Sequence, residues 1–122
     1  MEKNKATVVF GSSIKPMRFS NKAIKKLRQY GHPVYALGLR EGEVGDVKIQ
    51  TGKPVLKDVH TITMYLGLQN QTEYYDYIQS LNPKRVIFNP GTENGEFANT
   101  LRENGIEVVD YCTLVMLDTE MF

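Results

Sequence analysis

The sequence predicts an α/β fold: a doubly wound, mainly parallel sheet of about five strands with helices on both faces. Three observations predict it. Short β-branched apolar runs alternate with amphipathic stretches of about ten residues, the pattern of strands joined by helical crossovers. The first apolar run enters a glycine-and-serine loop and then a helix, which is how α/β proteins present backbone N–H groups to a phosphate. The chain has 122 residues, 41% of them hydrophobic. That suffices for a core, and residues 1–122 read as one domain.

Ala6 to Phe10 is apolar and β-branched, as in a strand buried on both faces. The loop Gly11 to Phe19 follows, and Ser20 is the predicted N-cap of a helix. Ala23, Ile24, Leu27 and Tyr30 form its apolar stripe, and Gly31 stands where a C′ glycine belongs. Lys22, Lys25, Lys26 and Arg28 fall mostly on the other, solvated face. Val34 to Leu37 is the second strand, Gly38 to Gly45 a loop with three glycines, and Val47 to Ile49 a short strand. After the turn Gly52 to Pro54 and a connection to Val59, His60 to Leu66 is the next strand. Gln69 to Leu81 has helical periodicity and is stopped by Pro83. Arg85 to Phe88 is a strand, Asn89 to Gly95 a turn-rich loop, and Glu96 to Asn104 a helix ending at Gly105. Ile106 to Val109 is the last clear strand. Cys112 to Leu117 is apolar and reads as an extended tail or a helical turn.

A net charge of +1 gives no strong field for nucleic acid or an anionic membrane, so neither is an expected partner. No apolar run approaches the roughly 18 residues of a membrane span, and residues 1–5 lack the apolar centre of a signal peptide. A soluble cytoplasmic protein is the expectation. Cys112 is the single cysteine, which excludes an internal disulfide and a thiolate zinc cluster. His32 and His60 pair with no cysteine or carboxylate at metal spacing, and no G-x-S-x-G motif is present. No metal and no catalytic residue are assigned, and catalysis by this chain alone is not expected.

In an open parallel sheet, ligands bind at the carboxyl ends of the strands, where strand order reverses. Here those ends are Gly11 to Phe19, Gly38 to Gly45, Leu66 to Asn70 and Asn89 to Asn94. They hold much of the Gly, Ser and Asn, together with Arg18 and Arg40. A phosphorylated, nucleotide-like ligand fits them. The dinucleotide fingerprint G-x-G-x-x-G is broken at Ser13 and Pro16. Strand two runs into Gly38, Leu39 and Arg40, not an acidic residue. An arginine there suits a ribose phosphate, favouring NADP or coenzyme A over NAD.

Four segments carry a family resemblance: Val9 to Ser13 (VFGSS) followed by Arg18, Phe19 and Ser20; Tyr30 to His32; Arg85 to Asn94 (RVIFNPGTEN); and Cys112 to Leu117 (CTLVML). In this order the chain resembles the small stand-alone CoA-binding domain proteins. Their Rossmann-like fold is that of the CoA-binding domain of succinyl-CoA synthetase α subunits. Where that family usually reads Val-Asn-Pro-Lys after strand two, this chain reads Leu37, Gly38, Leu39, Arg40, which keeps the charge and loses Asn and Pro. The resemblance implies that Gly11, Ser12 and Ser13 meet the pyrophosphate, with Arg18 and Ser20 adding a phosphate contact. It implies Arg40 near the ribose phosphate, and Asn89, Pro90 and Gly91 along the pantetheine. Cys112 is a candidate reactive thiol if it lies near the thiol end of the ligand.

The leading expectation is a module that binds coenzyme A or an acyl-CoA and depends on a partner enzyme for chemistry. The alternatives are an NADP-binding small oxidoreductase or subunit, and a regulatory or structural interaction module with a vestigial nucleotide site. A homodimer through the Tyr74, Tyr75 and Tyr77 face belongs to the last.

Overall fold

The computed structural model of the chain describes residue 2 and residues 4–122. Seven strands form one sheet: β1 (Thr7–Phe10), β2 (Val34–Leu37), β3 (Gly42–Val44), β4 (Val47–Gln50), β5 (Thr61–Met64), β6 (Arg85–Phe88) and β7 (Glu107–Asp110). Their order is β3-β4-β2-β1-β5-β6-β7. All neighbours are parallel except the β3–β4 hairpin. The helices are α1 (Phe19–Gln29), α2 (Tyr75–Ser80), α3 (Gly95–Glu103) and α4 (Thr113–Asp118).

The central strands alternate across the sheet. Val8 and Phe10 of β1, and Val86 and Phe88 of β6, pack with Ile78 of α2 and Phe97 and Leu101 of α3. Val9 and Ile87 point the other way, onto Ile24 and Leu27 of α1 and Met116 and Leu117 of α4. Every residue of β1, β5 and β6 is buried, which explains their apolar or β-branched character, broken only by Arg85 at the start of β6. The doubly wound sheet is as expected, with seven strands where about five were read.

Three local readings are corrected and a fourth is resolved. The loop Gly38 to Gly45 contains strand β3, held by antiparallel pairing of Gly42, Glu43 and Val44 with Ile49, Lys48 and Val47. Such a three-residue strand exists only through its partner. Helix α1 starts at Phe19 with Arg18 as N-cap and no side-chain cap; Ser20 lies buried in its first turn. Between Gln69 and Leu81, 3₁₀ turns at Leu68–Asn70 and Thr72–Tyr74 precede a short α2. The cause is Gln71, whose amide turns inward and donates to the carbonyls of Leu66 (3.0 Å) and Thr92 (2.8 Å). Of the two readings of Cys112 to Leu117, the helical one holds.

Gly31 (φ +87°) does close α1. The His32 N–H bonds the Leu27 carbonyl and the Gly31 N–H the Arg28 carbonyl, the Schellman pattern that a left-handed glycine permits. The tyrosines pack on their own sheet: Tyr74 and Tyr77 edge-on to Phe10, Tyr75 stacked 4.0 Å from Phe97. No helix among the described residues is long and apolar enough to cross a membrane.

Candidate functional site

Strand order reverses between β1 and β5, because β1 runs on to β2 on one side and the chain returns through β5 on the other. At the carboxyl ends of these strands lies a narrow groove. Phe10, Leu39, Leu66 and Tyr74 line it around Gly11 and Gly38. The glycines are a packing requirement. Gly11 has φ +84°, and a Cβ there would stand 3.0 Å from the Tyr65 carbonyl carbon. A Cβ on Gly38 would overlap the Ser12 carbonyl oxygen.

The first loop divides into a bonded half and an open half. The N–H groups of Gly11 and Ser12 both donate to the Leu37 carbonyl, at 3.0 and 2.8 Å. The Ser12 hydroxyl, buried, donates to the Val9 carbonyl at 2.8 Å. These donors serve the protein, so Gly11 and Ser12 shape the loop floor. Beyond them the N–H groups of Ser13 and Ile14 have no protein acceptor among the described residues. The Ser13 Oγ accepts from the Lys15 N–H at 3.1 Å, leaving its own proton free. The first turn of α1 has no side-chain cap, and its first intrahelical bond runs from the Lys22 N–H to the Arg18 carbonyl. The N–H groups of Phe19, Ser20 and Asn21 therefore lack helical partners. The helix dipole adds partial positive charge there.

Arg18 and Arg40 are both exposed. Neither makes an ion pair among the described residues, where the ion pairs are Lys26–Asp118 and Arg28–Asp46. Both pairs tie α1 to other elements, away from its N-terminus.

Asn89, at the end of β6, is buried and fully engaged. Its Nδ2 donates to the Thr63 hydroxyl (2.7 Å) and the Met64 carbonyl (2.9 Å), and its Oδ1 accepts from the Thr113 N–H (2.9 Å). Its side chain thus fastens β5, β6 and the start of α4, while Pro90 and Gly91 (φ +92°) stand exposed beside it. Cys112 is half-buried at the N-cap of α4. Nearby, burial pushes the Tyr65 phenol up to about 12, with the Cys112 charge adding to the effect. The Thr63 and Thr113 hydroxyls bond each other at 2.7 Å beside the buried Tyr65 phenol.

Two contributors were not legible in the sequence. Gln71 accepts at its Oε1 from Asn94 Nδ2 (3.0 Å), and Asn94 also donates to the Tyr75 hydroxyl (2.7 Å) while capping α3 through the Phe97 N–H. This network fixes the loops after β5 and β6 to each other. Asn21, buried in α1, donates to the Ser13 carbonyl at 2.8 Å. An asparagine early in a helix reads as a surface residue, and nothing in its spacing signals otherwise.

A solved structure of an uncharacterized protein is similar over 99% of this chain and 100% of its own, with 45% identity and a TM-score of 0.96. A Thermus thermophilus protein, cell-free ID.343, is 23% identical over 98% of this chain and 91% of its own, with a TM-score of 0.85. A hypothetical protein from Pyrococcus horikoshii OT3 is 23% identical over 95% of this chain and 83% of its own, with a TM-score of 0.85. The last two share the fold. Among curated proteins none matches the chain. The family model described as CoA binding domain matches residues 5–118, nearly the whole chain, and the protein therefore belongs to that family.

Proposed function

We propose that this chain binds coenzyme A, free or acylated, at the carboxyl edge of β1, β2 and β6, and supplies no reaction of its own. One observation carries the reading beyond family membership. The uncapped start of α1 and the free N–H groups of Ser13 and Ile14 follow β1 directly, and the loops after β1 and β2 carry Arg18 and Arg40, exposed and without an ion pair among the described residues. Such donors suit a diphosphate and would be costly to leave facing nothing but apolar ligand.

The diphosphate lies over Ser13, Ile14 and the first turn of α1, next to Arg18 and Ser20. Gly11 and Ser12 hold the floor. The adenine enters the groove beside Leu39, with Arg40 at the ribose phosphate. The pantetheine runs past Asn89, Pro90 and Gly91 toward Cys112. Acyl chemistry belongs to a partner enzyme.

Thermal unfolding with CoA, acetyl-CoA, dephospho-CoA, NADP and ADP tests this. A ligand at about 100 times its Kd stabilises by roughly 2.7 kcal/mol, a shift of several degrees for a domain this size. CoA and acetyl-CoA should shift the midpoint most and dephospho-CoA less. A larger shift with NADP, or none with CoA on protein shown by mass spectrometry to be ligand-free, overturns the reading.

A further inference from the structure

We propose that Asn21 is a positioning residue for the anion loop: its buried amide sets the Ser13–Ile14 peptide so that the Ile14 N–H faces the ligand phosphate. The inference rests on the CoA reading above and adds a residue to which that reading gives no contact.

Asn21 is the third residue of α1 and 2% exposed. Its Nδ2 reaches back eight residues to the Ser13 carbonyl, at 2.8 Å. In a planar trans peptide the C=O and the following N–H point in opposite directions. Drawing the Ser13 carbonyl toward a buried amide therefore turns the Ile14 N–H away from the protein. That N–H has no acceptor among the described residues, and Ile14 itself is 59% exposed. The Lys15 N–H bond to Ser13 Oγ holds the same residue from its other side. The peptide is thus fixed before a ligand arrives, which lowers the ordering cost of binding.

A second observation separates this role from plain packing. Asn21 Oδ1 is buried with no hydrogen-bond partner among the described residues. An unmet buried acceptor destabilises the fold, and a leucine of similar size would avoid that penalty. What the amide provides in return is the bond to the Ser13 carbonyl, which a leucine would leave without its donor.

The test compares wild type with Asn21→Leu. Without ligand, Asn21→Leu should unfold within a few degrees of wild type, because relief of the unmet Oδ1 offsets loss of the Ser13 bond, while its Kd for CoA rises about tenfold, as for loss of one hydrogen bond to a charged group. Titrating wild type with inorganic pyrophosphate should move the Ile14 amide resonance among the largest shifts, a readout that needs no variant to fold. Equal CoA affinity in the two proteins overturns the proposal. So does a parallel loss of stability and affinity, or an Ile14 amide that pyrophosphate leaves in place. Wild type that fails to bind CoA overturns the underlying reading as well, and shows it before any variant is made.

Discussion

The Ser12 carbonyl oxygen stands where a Cβ on Gly38 would project, so the loops after β1 and β2 meet backbone to backbone. Behind that contact the Gly38 N–H donates to the Gln50 carbonyl at 3.0 Å, fixing the second loop to β4. A methyl group has nowhere to go. Gly38→Ala should destabilise the fold by about 1–3 kcal/mol, as overpacking does. Urea midpoints would measure it. The same variant should widen the groove and weaken CoA more than it weakens pantetheine.

Arg40 stands exposed in the loop after β2 and makes no ion pair among the described residues. If it reads the ribose phosphate, wild type prefers CoA to dephospho-CoA. Arg40→Ala should lower CoA affinity by about tenfold and leave dephospho-CoA unchanged. Calorimetric titrations of both ligands against both proteins close the cycle; an unchanged ratio of affinities removes the assignment.

Asn89→Ala should act mainly on stability. It abandons the Thr63 hydroxyl, the Met64 carbonyl and the Thr113 N–H together, all buried. A loss of about 2–4 kcal/mol follows from several unmet groups in one network. Hydrogen exchange should then rise first in α4, whose opening residue is Thr113.

Acid should destabilise the protein from the opposite end of the sheet. His32 is fully buried, and its Nδ1 accepts from the Lys5 N–H at 3.1 Å. Burial first, then the charges of Lys5, Arg85 and His60, hold its pKa below the ordinary 6.5. His60 is lowered by burial and then by Arg85, Lys5 and Lys84. The unfolded chain therefore takes up these protons at a higher pH than the folded one. Stability is full above the unfolded value and falls as pH drops through it, until the folded histidines also protonate. Tm measured between about pH 8 and pH 5 should decline over that window. His32→Gln should flatten the decline.

Much of the fold is legible because it rests on local pattern. The α1 stripe, the left-handed Gly31 and the apolar runs in β1, β5 and β6 follow from periodicity and burial. What escapes depends on partners distant in sequence. Strand β3 needs β4, and the broken helix before α2 needs Gln71 to find the Thr92 carbonyl. The site divides in the same way. Which loops meet at the carboxyl edge follows from strand order. Which of their N–H groups remain free does not, because Leu37, a residue of another strand, occupies those of Gly11 and Ser12.

The outer strands have a consequence for how copies of the molecule meet. A parallel sheet left open at its sides offers unpaired backbone groups to a neighbour. Here one side ends in β3, three residues long with exposed Glu43 at its centre. The other ends in β7, with exposed Glu107 and Asp110 at its two ends. Two molecules approaching side to side would bring acidic groups together on strands too short to repay the encounter. Side-to-side pairing of two such sheets is thereby disfavoured.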